Sequence, residues 1–124
     1  MVVVRHPLSD LESRLISVAA EHGFTPASEP VKYFCELEHP DGVTVYLNRP
    51  RTLVNVIAVL IHPETDLSRL AGVMGLAVPS GIWHGRNMRR FPKRVHTGKH
   101  SISYAHSVEC ADLGAFGRLL DNLV

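Results

Sequence analysis

Residues 56–61 (VIAVLI) are an unbroken apolar run of strand length. A strand apolar on both faces must be covered on both, which places it at the centre of a sheet and obliges the rest of the chain to supply neighbours and cover. The run is far short of the roughly 18 apolar residues that a membrane span requires, and nothing else in the chain approaches that length. Upstream, residues 31–38 (VKYFCELE) alternate, with Val31, Tyr33, Cys35 and Leu37 on one face and Lys32, Glu36 and Glu38 on the other. His39-Pro40-Asp41-Gly42 is turn chemistry, since Pro presets one dihedral and Gly accepts positive φ. Residues 43–48 (VTVYLN) return as the hairpin partner.

The cover is expected from two helices. Ser9 is a good N-cap, Glu12 completes a capping box, and Gly23 ends the run. Leu8, Leu11, Leu15, Val18 and His22 fall at spacings of three and four, one amphipathic stripe. Near the other end, residues 110–123 align Leu113, Phe116, Leu120 and Leu123 for a core. In the middle, Thr65 or Asp66 caps a short helix through about Met74, with Leu67, Leu70, Ala71 and Met74 inward. Gly75, Pro79, Gly81, Gly85, Pro92 and Gly98 puncture any period across 75–99, which reads as a long irregular loop. A fourth strand follows at 100–108, with His100, Ile102, Tyr104, His106 and Val108 on one face and Ser101, Ser103, Ala105 and Ser107 on the other. The expected fold class is α+β. It is a single domain over residues 1–124, with a mainly antiparallel sheet of about four strands, an N-terminal and a C-terminal helix, a short middle helix and a long basic loop.

The charge is unevenly spread. Residues 84–100 (HGRNMRRFPKRVHTGKH) hold six Lys/Arg, three His and no acid, in a chain whose net charge is only +1. A near-neutral total argues against non-specific nucleic-acid binding by the whole surface, while a local patch remains open. Cys35 and Cys110 follow no CxxC spacing and read as two reduced, packed thiols. MVVVRHPLSD lacks a basic segment followed by an apolar core, so a soluble, cytoplasmic protein is expected.

Taken in order, YLNRPR, VLIHPE, RRFPKRVHTGKHSISYAHS and DLGAFGRLLDNL resemble the YgaC-like family of small cytoplasmic bacterial proteins of unknown function. The matching positions are Tyr46, Asn48, Arg49, Ile61, His62, Pro63, Phe91 and Pro92, with Gly98 and Tyr104. The resemblance implies an antiparallel sheet with some helix and carries over no catalytic role.

Candidate chemistry centres on the basic segment. Arg offers a planar fork matched to phosphate or carboxylate, Lys adds a mobile charge, and Trp83 and Phe91 lie close enough in sequence to stack bases. Anion binding is therefore assigned to Arg86, Arg89, Arg90, Lys93 and Arg94, with Arg49 and Arg51 in support around the stiffening Pro50. The competing expectation is that these Arg residues pair with acids of the N-terminal half or of a second subunit. His96 and His100 have the spacing of a helical zinc pair, but Gly98 argues against a helix there, and no HExxH or CxxC accompanies them. No cofactor or metal site is assigned. Glu36 and Glu38 would suit paired carboxylates at about 7 Å along a strand, although solvent-facing charge is the commoner arrangement. Cys110, near a helix start, is a candidate for a lowered thiol pKa. The expected function is non-enzymatic binding of a nucleic acid or an acidic protein surface, with no membrane partner. The alternative is a small enzyme built on His62, His84, His96 and His100.

Overall fold

The computed structural model describes residues 6–52, 56–85, 88–95 and 101–124. Helix α1 (Asp10–Glu21) starts as expected: the Glu12 N–H donates to Ser9 Oγ at 3.1 Å and the Ser9 N–H to Glu12 Oε1 at 2.9 Å. The chain then forms strands β1 (Thr25–Pro26), β2 (Phe34–Glu38) and β3 (Thr44–Asn48), a single helical turn α2 (Arg49–Thr52), and β4 (Ile57–Ile61). Pro50 is tolerated because it falls in the first turn of α2, where its missing N–H has no helical partner to lose. Strands β5 (Leu76–Gly85), β6 (Lys93–Val95) and β7 (Ser101–Cys110) precede helix α3 (Leu113–Leu123), capped by Asp112.

The strands form one antiparallel sheet in the order β1-β2-β3-β4-β7-β5. Strand β6 pairs with β7 as well, and because Ser103 pairs with both Gly85 and Lys93, β6 lies across β7 from β5. As its apolar run requires, β4 is central and buried throughout. The fold is therefore α+β with a mainly antiparallel sheet, but with seven described strands instead of about four.

Each face of the sheet has its own core. Leu15 and Ala19 of α1 and Phe116, Leu119, Leu120 and Leu123 of α3 pack over Cys35, Leu37, Val45, Leu47, Val59 and Ile61. On the other face Phe34, Tyr46, Leu60 and Ala105 are covered by Met88 and Phe91, with Trp83 alongside. Residues 88–92 thus lie across the second face as a strap, and the basic segment contributes to the core. Its apolar anchors are three residues apart, so Arg89 and Arg90 between them reach the rim.

Four local expectations change. The middle helix shrinks to one 3₁₀ turn, Leu67–Arg69, after which Gly72 and Gly75 adopt φ of +81° and +86° that end any helix. Leu70 is buried, but Met74 is 77% exposed. Residues 76–85 are strand, not irregular loop. An edge position tolerates Pro79, and the register shift between Ala77 and Gly81 absorbs the interruption. Strand β2 begins at Phe34, leaving Val31 and Tyr33 exposed. In β7 it is the small residues Ser103, Ala105 and Ser107 that are buried, whereas Ile102, Tyr104 and His106 are half-buried. Their small side chains leave room for cover to approach the sheet.

Candidate functional site

Strand β2 is buried on both faces, so Glu36, expected in solvent, is only 6% exposed. The hairpin register sets it opposite Tyr46, whose hydroxyl donates to Glu36 Oε1 at 2.7 Å. Arg89 closes over the same carboxylate through Nε at 3.2 and 3.3 Å and Nη2 at 2.9 Å. Burial raises the Glu36 pKa, but the hydrogen bonds from Arg89 and Tyr46 outweigh it and hold the carboxyl below the ordinary value. Burial also pushes the Tyr46 phenol well up. The Arg90 N–H donates to Tyr46 Oη at 3.1 Å, and its guanidinium lies 3.3 Å from Glu38. Phe91 meets Tyr46 edge-on at 4.9 Å and His62 at 5.5 Å. The acids that neutralise Arg89 and Arg90 therefore come from the N-terminal half of the same chain.

Arg49 is 8% exposed and makes five donor contacts, all within the chain. Two go to Glu12, at 2.7 and 3.2 Å, and three to the carbonyls of His6, Pro7 and Val31. Its expected support of an anion surface gives way to an internal role, because its donors are already consumed. Arg51 is ion-paired with Glu109. Arg86, His96 and His100 lie outside the described residues.

Lys93 and Arg94 are exposed, and among the described residues neither meets a carboxylate. As neighbours on a strand they point to opposite faces, so they do not share one patch. Arg94 faces Tyr104, with Cζ 4.5 Å from the ring centre, and its Nε donates to His84 Nε2 at 2.9 Å. His84 in turn stacks on Tyr104 at 6.1 Å and 24°. A guanidinium plane, a phenol and an imidazole thus form one platform on the surface of β5, β6 and β7.

A cleft of about 500 Å3 opens elsewhere, between the turn after β2 and the residues following β4. His62 lines it, as do Glu64, Asp66, Arg69, Arg90 and Phe91, but Trp83 and His84 do not. His62 Nδ1 accepts the Glu64 N–H at 3.1 Å, which ties the ring to the turn after β4. The sequence offered no signal for this cleft beyond the Ile-His-Pro strand end, because its walls come from four separate segments spread between Asp41 and Leu123.

Neither cysteine is activated. Cys110 ends β7 and lies three residues before the start of α3, and burial pushes its thiol up to about 12, the reverse of the expected lowering. Burial raises Cys35 to about 11. Among the described residues no three His, Cys, Asp or Glu side chains are grouped to hold a metal ion, and no helix is long and apolar enough to cross a membrane. No family model, curated protein or solved structure matches the chain.

Proposed function

We propose that the protein is a non-enzymatic binding module for an anionic partner, a single-stranded nucleic acid in the first instance, and that it works in the cytoplasm. One observation carries this: Arg94 sits over Tyr104, its Cζ 4.5 Å from the ring centre, with no carboxylate beside it among the described residues. A guanidinium held in that way presents a planar face on which a base stacks and donors that a phosphate accepts. Arg89 and Arg90, paired with Glu36 and Glu38, hold the strap and add little net charge. Lys93, on the opposite face, and Arg86 add to the basic field of the segment. Membership of the YgaC-like family belongs to the same proposal, on the order and spacing of its matching residues. Tyr46, Asn48, Arg49 and Phe91 among them are buried, so the resemblance rests on packing positions.

The test is fluorescence anisotropy with a labelled single-stranded oligonucleotide across a salt series, on the wild type and Arg94→Ala. Binding should fall linearly in log–log form with salt, and the variant should bind at least about tenfold more weakly. Equal binding by the variant, or no binding at low salt, overturns the proposal. A nuclease-insensitive acidic protein recovered by pull-down would point to the other anionic partner class.

A further inference from the structure

The cleft beside His62 plays no part in the platform at Arg94, and its chemistry is different. Its volume of about 500 Å3 lies within the range of small-molecule sites. Its floor is apolar, with Phe91 and Leu123 lining it. Its rim carries both signs of charge. Glu64 and Arg69 are exposed, and among the described residues neither is ion-paired. His62 stands between floor and rim, wedged edge-on against Phe91. Since Nδ1 accepts the Glu64 N–H, the neutral ring carries its proton on Nε2 and presents a donor.

A plain anion entering this cleft meets the carboxylates of Asp41, Glu64 and Asp66, and a plain cation meets Arg69 and Arg90. A molecule carrying both charges on an apolar body satisfies rim and floor together. We propose that the cleft binds a small zwitterion with an apolar side chain, a free α-amino acid or a dipeptide. Its carboxylate pairs with Arg69 and His62, its ammonium with Glu64, and its side chain rests on Phe91 and Leu123. Charge-assisted hydrogen bonds of this kind are among the stronger polar contacts available to a small ligand.

Titration followed by backbone amide NMR tests this with four probes: L-leucine, the dipeptide Leu-Leu, N-acetyl-leucine and leucinamide. Saturable shifts at the amides of His62, residues 64–69 and Phe91 are expected with leucine or Leu-Leu, and the tighter of the two identifies the source. The controls, each lacking one charge, should bind at least about tenfold more weakly. Arg69→Gln and Glu64→Gln, at exposed positions, should leave the remaining spectrum unchanged and each weaken binding by about tenfold. Absence of saturable shifts with both zwitterions, equal binding of either control, or wild-type affinity in both variants overturns the proposal.

Discussion

Replacing Arg49 with Met tests what the basic residue after β3 does. The substitution keeps an unbranched side chain of similar reach and removes the guanidinium. Glu12, 1% exposed, then keeps its hydrogen bond from the Ser9 N–H but loses both contacts from Arg49, and three carbonyls lose a donor. Breaking a buried pair from one side costs about 3–5 kcal/mol, and the surviving Ser9 contact places this case near 3 kcal/mol. That is a large share of a whole-domain margin of about 5–15 kcal/mol, and it converts to a fall of roughly 10 °C in Tm.

The pH dependence of Arg49→Met separates this account from a simple packing defect. In the native protein burial raises the Glu12 pKa, but the Arg49 and Ser9 hydrogen bonds outweigh it, so the folded value lies below the unfolded one. Its stabilisation is therefore complete above the ordinary carboxylate range and lost as pH falls through the folded pKa. Without Arg49, burial dominates and the shift reverses sign. The difference between variant and wild type should then narrow as pH falls from about 7 towards 3. Thermal and urea unfolding followed by circular dichroism read both quantities. A Tm within about 2 °C of wild type, or a difference that does not narrow in acid, would refute the reasoning.

Phe91→Ala should cost about 3 kcal/mol and shift the emission of Trp83, the only tryptophan in the chain, which packs on the same cluster; unchanged fluorescence and stability would show that the strap does not cover that face. Met74→Ser should change stability by less than about 0.5 kcal/mol, since the side chain is 77% exposed, and a loss above about 1 kcal/mol would restore an inward-facing helix there. Cys35 and Cys110, with thiols raised to about 11 and 12, should resist a thiol-reactive disulfide reagent at pH about 8 until urea unfolds the chain. Rapid native labelling of either would contradict their burial.

The parts of this protein legible in its sequence are those governed by neighbours a few residues away. Ser9 and Glu12 cap a helix because the capping box closes over three residues, and residues 39–42 turn because Pro and Gly set their own dihedrals. The central place of β4 follows from an apolar run with no polar face to show water. The same local rules misread residues 76–85, since Gly and Pro signal irregularity and yet β5 accommodates Pro79 and Gly81 at a sheet edge.

The roles of the charged residues were decided by tertiary structure alone. Arg49 meets Glu12 across 37 positions and Arg89 meets Glu36 across 53, distances at which no periodicity or motif carries information. In sequence Arg89, Arg90 and Arg94 are equivalent cations. Once Met88 and Phe91 anchor the strap to the second face of the sheet, Arg89 and Arg90 are brought to buried or half-buried carboxylates, while Arg94 is carried out along β6 to Tyr104. Composition sets how much charge a segment has; the burial of its apolar neighbours determines which of those charges are neutralised internally and which stay exposed to solvent.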